Sequence, residues 1–306
     1  MSFPLTFVSD FDGVWTNPKR ELQAVHQTVQ TALRRMCGWP QEHLEEVYAH
    51  FREQVLHSPH QYGWRIDGVF SSFVDEDYFA VPTSIAQYID DAPCENSVEL
   101  KRAILQEFET VLSFVDSCYA STCENFRNEV DHDLAEGSAR VLQWLLDNDV
   151  NVVFVTNAPT EKITTWFAHH GFSVDDGRST APGSSRLRVY GRAGKQHLGS
   201  SSRSLDFCGR NVQCDRPQYR AVLERECPDL VIGDVLSLDI SQPLAMRVDG
   251  NPAAPSAVGI MHLPHTPEWV LGSIGSAAHE IDYLVPHVTS IPRFVERVRA
   301  NSLIHG

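Results

Sequence analysis

Hydrophobic residues follow two different spacings along this chain. Residues 4–10 form a nearly continuous apolar run, which is typical of a buried strand. From about residue 20 to residue 132, apolar residues instead recur every three or four positions, as in amphipathic helices. The stretches with the clearest helical spacing are 21–36, 41–57 and 98–127. The pattern therefore predicts a short strand followed by a large helical block.

After residue 132 the pattern alternates between predicted helices and predicted strands. The helices are expected at 135–147, 160–170, 217–226 and 237–246, and the strands at 150–155, 186–190, 205–214, 230–233 and 257–262. Such alternation is typical of a parallel sheet with helices on both faces. We therefore predict an α/β protein with a doubly wound, Rossmann-like core formed by residues 1–19 and 133–306. The helical block, residues 20–132, is inserted after the first strand.

Composition narrows the functional classes. The chain has 306 residues and a formal net charge of −15, which argues against a nucleic-acid binder because such proteins need a basic surface. Apolar runs are shorter than a membrane span, and no basic segment precedes an apolar leader at the start. The seven cysteines form no Cys-x-x-Cys pair, so neither a zinc site nor a disulfide framework is predicted. We expect a cytoplasmic protein with free thiols and no membrane partner.

Two aspartates follow the first predicted strand. Asp10 and Asp12 are separated by one residue and followed by Gly13. Since residues i and i+2 of a strand lie on the same face, both carboxylates are expected to point into one space. Two such charges at ~4 Å repel by roughly 4 kcal/mol at an effective dielectric constant near 20. The pair therefore indicates a bound cation or a shared proton.

Two further strand ends carry polar residues. The strand at 150–155 is followed by Thr156 and Asn157, and the strand at 230–233 by Asp234. Ligands of doubly wound sheets lie at the carboxyl ends of the strands. Thr156 could hold a phosphoryl oxygen there, although a threonine after a strand is more often a turn residue. Asp234 could bind a metal ion or cap the next helix.

Together these residues resemble the motifs of the haloacid dehalogenase superfamily, whose members are mostly phosphatases. Asp10-Phe11-Asp12-Gly13 matches the first motif, Thr156 matches the second, and Gly233-Asp234 with Asp239 matches the fourth. The resemblance covers residues 4–17, 135–170 and 216–250, and is only architectural elsewhere. It implies that the helical block is a cap over the active site, whereas a dimerisation domain is the alternative interpretation.

The third motif of this superfamily is a cation, usually lysine, and here the sequence departs from the pattern. Arg216, followed by Pro217, stands where the lysine is expected. Lys195 is the competing candidate, while Lys162 lies too early, on the helix after Thr156. Arginine is larger and planar rather than a point charge. The sequence favours Arg216 over Lys195.

The resemblance implies a phosphoryl-transfer mechanism. Asp10 is the expected nucleophile and Asp12 the expected acid and base. Mg²⁺ is expected at Asp10, Asp234 and the backbone carbonyl of Asp12, and Asp239 is either a further ligand or a residue that orients the neighbourhood of Asp234. The predicted substrate-binding residues are Thr156, Asn157, Arg216 and Lys195. Thr156 and Arg216 are also expected to stabilise the charge of the transferring group.

The predicted function is therefore removal of phosphate from a small phosphorylated metabolite. Two other classes stay open. One is a different reaction on the same scaffold, such as that of a phosphomutase or a phosphonate hydrolase. The other is a non-catalytic binding protein, for which the arginine at position 216 leaves room.

Overall fold

A computed structural model describes residues 4–66, 68–127, 134–175, 185–275 and 280–305. In chain order the strands are β1 (Leu5–Ser9), β2 (Gly63–Ile66), β3 (Val69–Phe73), β4 (Val150–Val155), β5 (Leu187–Tyr190), β6 (Ser204–Phe207), β7 (Arg210–Gln213), β8 (Leu230–Gly233), β9 (Ala257–Met261) and β10 (Tyr283–Val285). The α-helices are α1 (Lys19–Cys37), α2 (Gln41–His57), α3 (Ala80–Asp91), α4 (Glu95–Ile104), α5 (Val111–Arg127), α6 (Ser138–Asp147), α7 (Thr160–His169), α8 (Pro217–Glu226), α9 (Ser241–Val248), α10 (Glu268–Leu271) and α11 (Ile291–His305).

The chain divides into two compact units. One consists of Met1–Asn17 with Val130–Gly306, and the other of Pro18–Glu129. The sequence pattern placed these boundaries at 19 and 133, two or three residues away. We refer to the first as the core unit and to the second as the helical unit.

The core unit is built on a six-stranded sheet in the order β10-β9-β8-β1-β4-β5. Every pairing in this sheet is parallel. Strand β1 lies in the middle, between β4 and β8, so that the residue after β1 has a neighbouring strand end on each side. The predicted α/β fold class is confirmed.

Alternate residues of the central strands are buried against different layers of helices. Phe7 and Phe154 belong to an apolar cluster that includes Leu145 of α6 and Phe167 of α7. Val8 and Val153 belong to another cluster, with Leu223 of α8 and Met246 of α9. Burial on both faces explains why these strands are apolar throughout.

The helical unit contains α1 to α5 and has its own apolar core. The predicted helix at 98–127 is interrupted, because α4 ends at Ile104 and α5 begins at Val111. Thr110 and Ser113 explain the restart: the backbone N–H of each donates to the side-chain oxygen of the other, at 3.1 and 2.9 Å, which is a reciprocal cap. The antiparallel hairpin of β2 and β3 was not predicted.

Other differences from the prediction lie near the carboxyl terminus. Residues 237–246 were expected to form one helix, but a π-helical turn at Leu236–Ile240 precedes α9. Strand β10 and helices α10 and α11 were not predicted. Among the described residues, no helix combines the length and the apolar character that crossing a membrane requires. All seven cysteines are free thiols.

Candidate active site

Three strand ends meet at the centre of the sheet. The register pairs Ser9, the last residue of β1, with Phe154 on one side and with Ile232 on the other. The backbone N–H of Asp10 donates to the carbonyl of Ile232 at 3.0 Å, which continues the β1–β8 ladder by one residue. Asp10, Thr156 and Asp234 therefore lie at the same edge of the sheet, where the strands end.

Lys195 lies against the carboxylate of Asp10. Its Nζ is 2.5 Å from Asp10 Oδ1 and 2.5 Å from Asp239 Oδ1, and its side chain is only 3% exposed. Burial opposes its charge, but the carboxylates of Asp10 and Asp239 outweigh that effect and raise the pKa of Lys195 above its usual value. Lys195 therefore carries a positive charge that is shared by two carboxylates.

The loop after β5 delivers Lys195 to this position. The backbone N–H of Lys195 donates to Asn157 Oδ1 at 2.9 Å, and that of Ala193 donates to the carbonyl of Thr156 at 2.9 Å. Two residues of the loop are left-handed, Arg192 at φ 51° and Gly194 at φ 64°. The left-handed conformation at position 194 favours glycine, which has no Cβ to strain it. Asn157 thus acts on the loop through its side chain.

Arg216 has a different environment from the one that the sequence suggested. It is fully buried, and its Nη1 donates to the backbone carbonyl of Lys195. Nη2 donates to the carbonyl of Gln213 at 3.3 Å. The guanidinium therefore supports the loop behind Lys195, and Lys195 is the cation beside Asp10. These contacts do not support the order in which the sequence ranked the two cations, because the ammonium of Lys195 lies at Asp10 whereas the guanidinium of Arg216 donates to backbone carbonyls.

The carboxylates fit a divalent cation. One oxygen each of Asp10, Asp234 and Asp239 lies within 4.8 Å of the others. Carboxylate oxygens are hard ligands of the kind that Mg²⁺ prefers, and one ammonium does not balance three carboxylates. A Cβ on Gly13 would lie 2.0 Å from Asp234 Oδ2, so the glycine gives this carboxylate its room. The predicted ligand Asp12 offers no side-chain oxygen to this group of described carboxylates.

Asp239 is occupied by other donors. Its Oδ2 accepts from the backbone N–H groups of Asp234 and Val235 at 3.2 and 3.0 Å, while its Oδ1 accepts from Lys195. The side chain is buried, and Gly233 leaves space for it, since a Cβ there would lie 2.2 Å from Asp239 Cβ. This arrangement matches the interpretation in which Asp239 orients the neighbourhood of Asp234.

Asp10 is held in surroundings that disfavour its negative charge. Burial raises its pKa to about 7; Lys195 opposes the rise, and the charges of Asp239 and Asp12 add to it. A carboxyl group with this pKa accepts a proton or a cation near neutral pH. The cluster therefore has the electrostatic character of a cation site, but its carboxylates are those of Asp10, Asp234 and Asp239, and the carboxylate of Asp12 contacts Lys162 instead.

Thr156 is buried, and it follows β4, the strand that pairs with β1. Its Oγ1 accepts from the backbone N–H of Ala158 at 3.1 Å, as in a turn, which is the more ordinary role for a threonine after a strand. Because Oγ1 only accepts in this hydrogen bond, the hydroxyl group can still donate its own proton. The two interpretations of Thr156 are thus compatible.

Asp12 and Lys162 form a second ion pair. Lys162 Nζ lies 3.2 Å from Asp12 Oδ1 and 3.4 Å from Oδ2, and Thr16 Oγ1 donates to Oδ1 at 3.3 Å. The side chains of Lys162 and Asp12 are 22% and 21% exposed. This pair is therefore more open to solvent than that of Lys195.

No protein-family model and no curated protein matches this chain. Solved structures similar to it include the putative HAD-hydrolase YfnB from Bacillus subtilis bound to magnesium, at 10% identity and a TM-score of 0.44 over 96% of this chain and 99% of that one. A haloacid dehalogenase-like hydrolase from Xanthomonas campestris has 11% identity and a TM-score of 0.46, over 100% and 96% of the two chains. A HAD phosphatase from Thermococcus onnurineus has 13% identity and a TM-score of 0.44, over 95% and 97%.

Similarity of this degree concerns the fold and assigns no activity. Lys162, which contacts Asp12, is the residue near this site that sequence reasoning set aside. The helix α7 begins at Thr160, five residues after β4 ends at Val155. A residue in the first turn of such a helix stays near the strand end, and this short connection is the signal that could have identified Lys162.

Proposed function

We propose that this protein is a Mg²⁺-dependent phosphatase that removes phosphate from a small phosphorylated metabolite through a phosphoryl group on Asp10. The observation that supports this most strongly is the position of Asp10, between the ammonium of Lys195 and a group of carboxylates that fits a divalent cation. A carboxylate so placed can attack phosphorus while the charges around it neutralise the oxygens of the phosphoryl group.

Asp10 and Asp12 have complementary roles in this proposal. A carboxylate oxygen of Asp10 forms a bond to phosphorus as the bond from phosphorus to the ester oxygen breaks. Asp12 gives its proton to the departing oxygen, so that the alcohol leaves neutral. Asp12 then takes a proton from a water molecule, whose oxygen attacks phosphorus and returns Asp10 to its carboxylate form. Phosphate leaves, and every proton is accounted for.

Two groups are proposed to hold the phosphoryl oxygens. The ammonium of Lys195 lies at Asp10 and can reach an oxygen on the phosphorus that Asp10 attacks. The hydroxyl of Thr156, at the end of the neighbouring strand, is the second donor. Both are fixed before substrate arrives, which lowers the cost of stabilising the transition state. We assign Arg216 to the support of Lys195 instead of to the substrate.

Asp10, Asp234 and the backbone carbonyl of Asp12 are the proposed ligands of Mg²⁺. When bound, the ion would neutralise negative charge and polarise a phosphoryl oxygen. Asp239 is assigned to hold Lys195 and the backbone of Asp234 in place. We also propose that the helical unit acts as a cap that selects a small substrate and excludes water, as closing loops and domains do in other enzymes.

The test is phosphate release from a panel of sugar, nucleotide and cofactor phosphates, with and without Mg²⁺. We expect turnover of some members with Mg²⁺ and loss of turnover after chelation. The Asp10→Asn variant should lose activity by about a thousandfold or more, because it lacks the nucleophile. Wild-type activity in that variant would overturn the mechanism. Transfer of the phosphoryl group back to the product, in place of water, would indicate a phosphomutase.

A further inference from the structure

Tyr219 is a buried aromatic residue beside Lys195 that the proposed reaction does not use. It lies in the first turn of α8, which begins at Pro217, and it is 2% exposed. Lys195 Nζ lies over its ring, 5.9 Å from the centroid. Its phenolic hydroxyl donates to the backbone carbonyl of Asp239 at 3.1 Å. Tyr219 therefore contacts both members of the ion pair between Lys195 and Asp239.

We propose that Tyr219 is a positioning residue that holds the ammonium of Lys195 at the carboxylate of Asp10. The ring acts on the ammonium, and the hydroxyl fixes the tyrosine to the backbone at Asp239. The consequence for turnover rests on the proposed function, because that mechanism gives the ammonium a phosphoryl oxygen to stabilise. The position of the ammonium can be measured independently of turnover.

Asp10 and Asp239 compete for the ammonium of Lys195. Nζ lies 2.5 Å from one carboxylate oxygen of each residue. In the proposed reaction the carboxylate of Asp10 loses its negative charge when its oxygen bonds to phosphorus, whereas Asp239 keeps its charge. Asp239 would then draw the ammonium away from the phosphoryl group. The face of an aromatic ring attracts a cation and takes no part in the bond changes, so its attraction persists through the reaction.

Tyr219 and Arg216 hold different parts of the same lysine. The guanidinium of Arg216 donates to the backbone carbonyl of Lys195, whereas the ring of Tyr219 lies beside the ammonium. Both residues are placed by the start of α8, where Pro217 has the fixed backbone angle that suits the first helical position. Tyr219 also belongs to the buried apolar cluster that contains Leu223, one turn along the helix. The ring is therefore held by close packing on one side while it faces the ammonium on the other.

Three variants separate the ring from the hydroxyl and from general packing. Tyr219→Phe keeps the ring and removes the hydroxyl, whereas Tyr219→Leu removes both. Leu223→Ala is the matched control, because it removes buried side-chain volume from the same cluster and the same helix. Circular dichroism and urea denaturation establish that each variant is folded.

Turnover is measured with Mg²⁺ and the phosphate ester that the wild-type protein hydrolyses fastest. We expect kcat to stay within about threefold of the wild-type value in Tyr219→Phe and to fall by about tenfold in Tyr219→Leu. The loss should be larger in kcat than in KM, because the ammonium meets charge that develops during phosphoryl transfer. Leu223→Ala should keep the wild-type kcat although it lowers the urea concentration at the unfolding midpoint. Wild-type kcat in a folded Tyr219→Leu variant, or equal losses in Tyr219→Phe and Tyr219→Leu, overturns the proposal.

The position of the ammonium is measured by nuclear magnetic resonance, because ring currents shift the ε-methylene protons of a lysine that lies over an aromatic ring. The chain has four lysines, which are Lys19, Lys101, Lys162 and Lys195. Labelling of the lysine ε carbons with ¹³C therefore gives four signals. Methionine substitutions at the other three positions, made one at a time, assign the remaining signal to Lys195.

Lys101 provides the reference signal, since its Nζ lies 2.5 Å from Asp90 Oδ1 in an exposed ion pair of the helical unit. We expect the Lys195 signal to lie upfield of the Lys101 signal in the wild-type protein, in Tyr219→Phe and in Leu223→Ala. Tyr219→Leu should lose this upfield shift. Coincident signals of Lys195 and Lys101 in the wild-type protein overturn the proposal, and this result holds whether or not Tyr219→Leu folds.

The two measurements separate this inference from the proposed function. If the wild-type protein hydrolyses none of the phosphate esters and the Lys195 signal still follows the ring as expected, the phosphatase proposal fails and the position of the ammonium stands. If the protein hydrolyses esters, and neither kcat nor the Lys195 signal changes in a folded Tyr219→Leu variant, the positioning role fails and the phosphatase proposal stands.

Discussion

Lys195 and Lys162 approach the two aspartates of the same motif in different surroundings. Lys195 is buried and shared between Asp10 and Asp239, and the loop that carries it is fixed by hydrogen bonds to Asn157 and Arg216. Lys162 extends from a helix to a half-buried carboxylate. Removing one partner of a buried ion pair lowers the free energy of unfolding strongly, because the other charge stays buried without compensation. Removing one partner of an exposed ion pair lowers it little. Removing the first lysine should therefore cost much more stability than removing the second.

The largest effect is expected from Lys195→Met. The variant leaves the buried carboxylates of Asp10 and Asp239 without their shared ammonium, which should lower the free energy of unfolding by about 3–5 kcal/mol. Urea denaturation without divalent cations measures this change, and phosphate release measures the accompanying loss of activity. Lys101→Met is the matched control and should change stability by less than about 1 kcal/mol. Equal losses of unfolding free energy in the two variants would show that the buried ion pair contributes no more stability than the exposed one.

The second effect concerns pH. Burial raises the pKa of Asp10 to about 7, above the value of about 3.9 for an unfolded aspartate. The folded protein therefore binds the extra proton, and its stability in the absence of divalent cations should decrease as pH rises from about 4 to about 7, by a few kcal/mol at most. If Mg²⁺ binds at Asp10 as proposed, it replaces that proton, so its stabilising effect should grow over the same range. Thermal unfolding from pH 5 to 8, with Mg²⁺ or a chelator, measures both trends.

A matched loss of the pH dependence is expected in Asp10→Asn, which has no carboxyl group to titrate at this position. If this variant keeps the dependence of the wild-type protein, the titrating group lies elsewhere. If Mg²⁺ stabilises the wild-type protein equally at pH 5 and pH 8, protons and the cation do not compete at this cluster.

A smaller effect is expected from Arg216→Met, which removes the guanidinium that supports the Lys195 loop. The carbonyl of Lys195 then loses a buried donor, at a cost of about 1–3 kcal/mol in unfolding free energy. Because the guanidinium does not contact the proposed reacting atoms, kcat should fall less than in Lys195→Met. A folded Arg216→Met variant with less activity than Lys195→Met would restore the order of the two cations that the sequence suggested.

The smallest effect on stability is expected from Lys162→Met. The ion pair with Asp12 is partly exposed, so its loss should change the free energy of unfolding by no more than about 1 kcal/mol. Urea denaturation at low and high salt measures the change, which should shrink as salt screens the pair. A loss as large as that of Lys195→Met would contradict the contrast between the two sites.

The strand ends of the site were predictable because they depend on local patterns. The apolar runs before Asp10, Thr156 and Asp234 are buried on both faces in a parallel sheet, so each run marks its own strand and its own end. The alternation with helices indicated that these strands form one parallel sheet. The central part of the site could therefore be expected from sequence alone.

The lysine that contacts Asp10 could not be predicted in the same way. Lys195 reaches Asp10 only because the loop after β5 adopts left-handed conformations at Arg192 and Gly194 and is held by Asn157. The contact with Asn157 joins segments that are distant in sequence. The spacing of residues along the chain does not predict such contacts. The position before Pro217 was the better match to the motif, and tertiary packing directs its arginine to backbone carbonyls instead.

The β2–β3 hairpin was missed for a different reason. The two strands are short, and the helical spacing of their neighbours dominates the pattern. The Asp67-Gly68 dipeptide between two apolar runs is nevertheless a strong hairpin signal. At the other end of the chain, β10 has only three residues, too few for a periodic pattern to identify.

The most direct test of the central claim is to locate the phosphoryl group during turnover. The wild-type protein is mixed with Mg²⁺ and the phosphate ester that it hydrolyses fastest, and the reaction is stopped with acid before steady state. The protein is then digested, and the masses of its peptides are measured by mass spectrometry. We expect the mass of one phosphoryl group on the peptide that contains Asp10, and its absence in Asp10→Asn. A phosphoryl group on another residue, or undiminished turnover by Asp10→Asn, would contradict the assignment of Asp10 as the nucleophile.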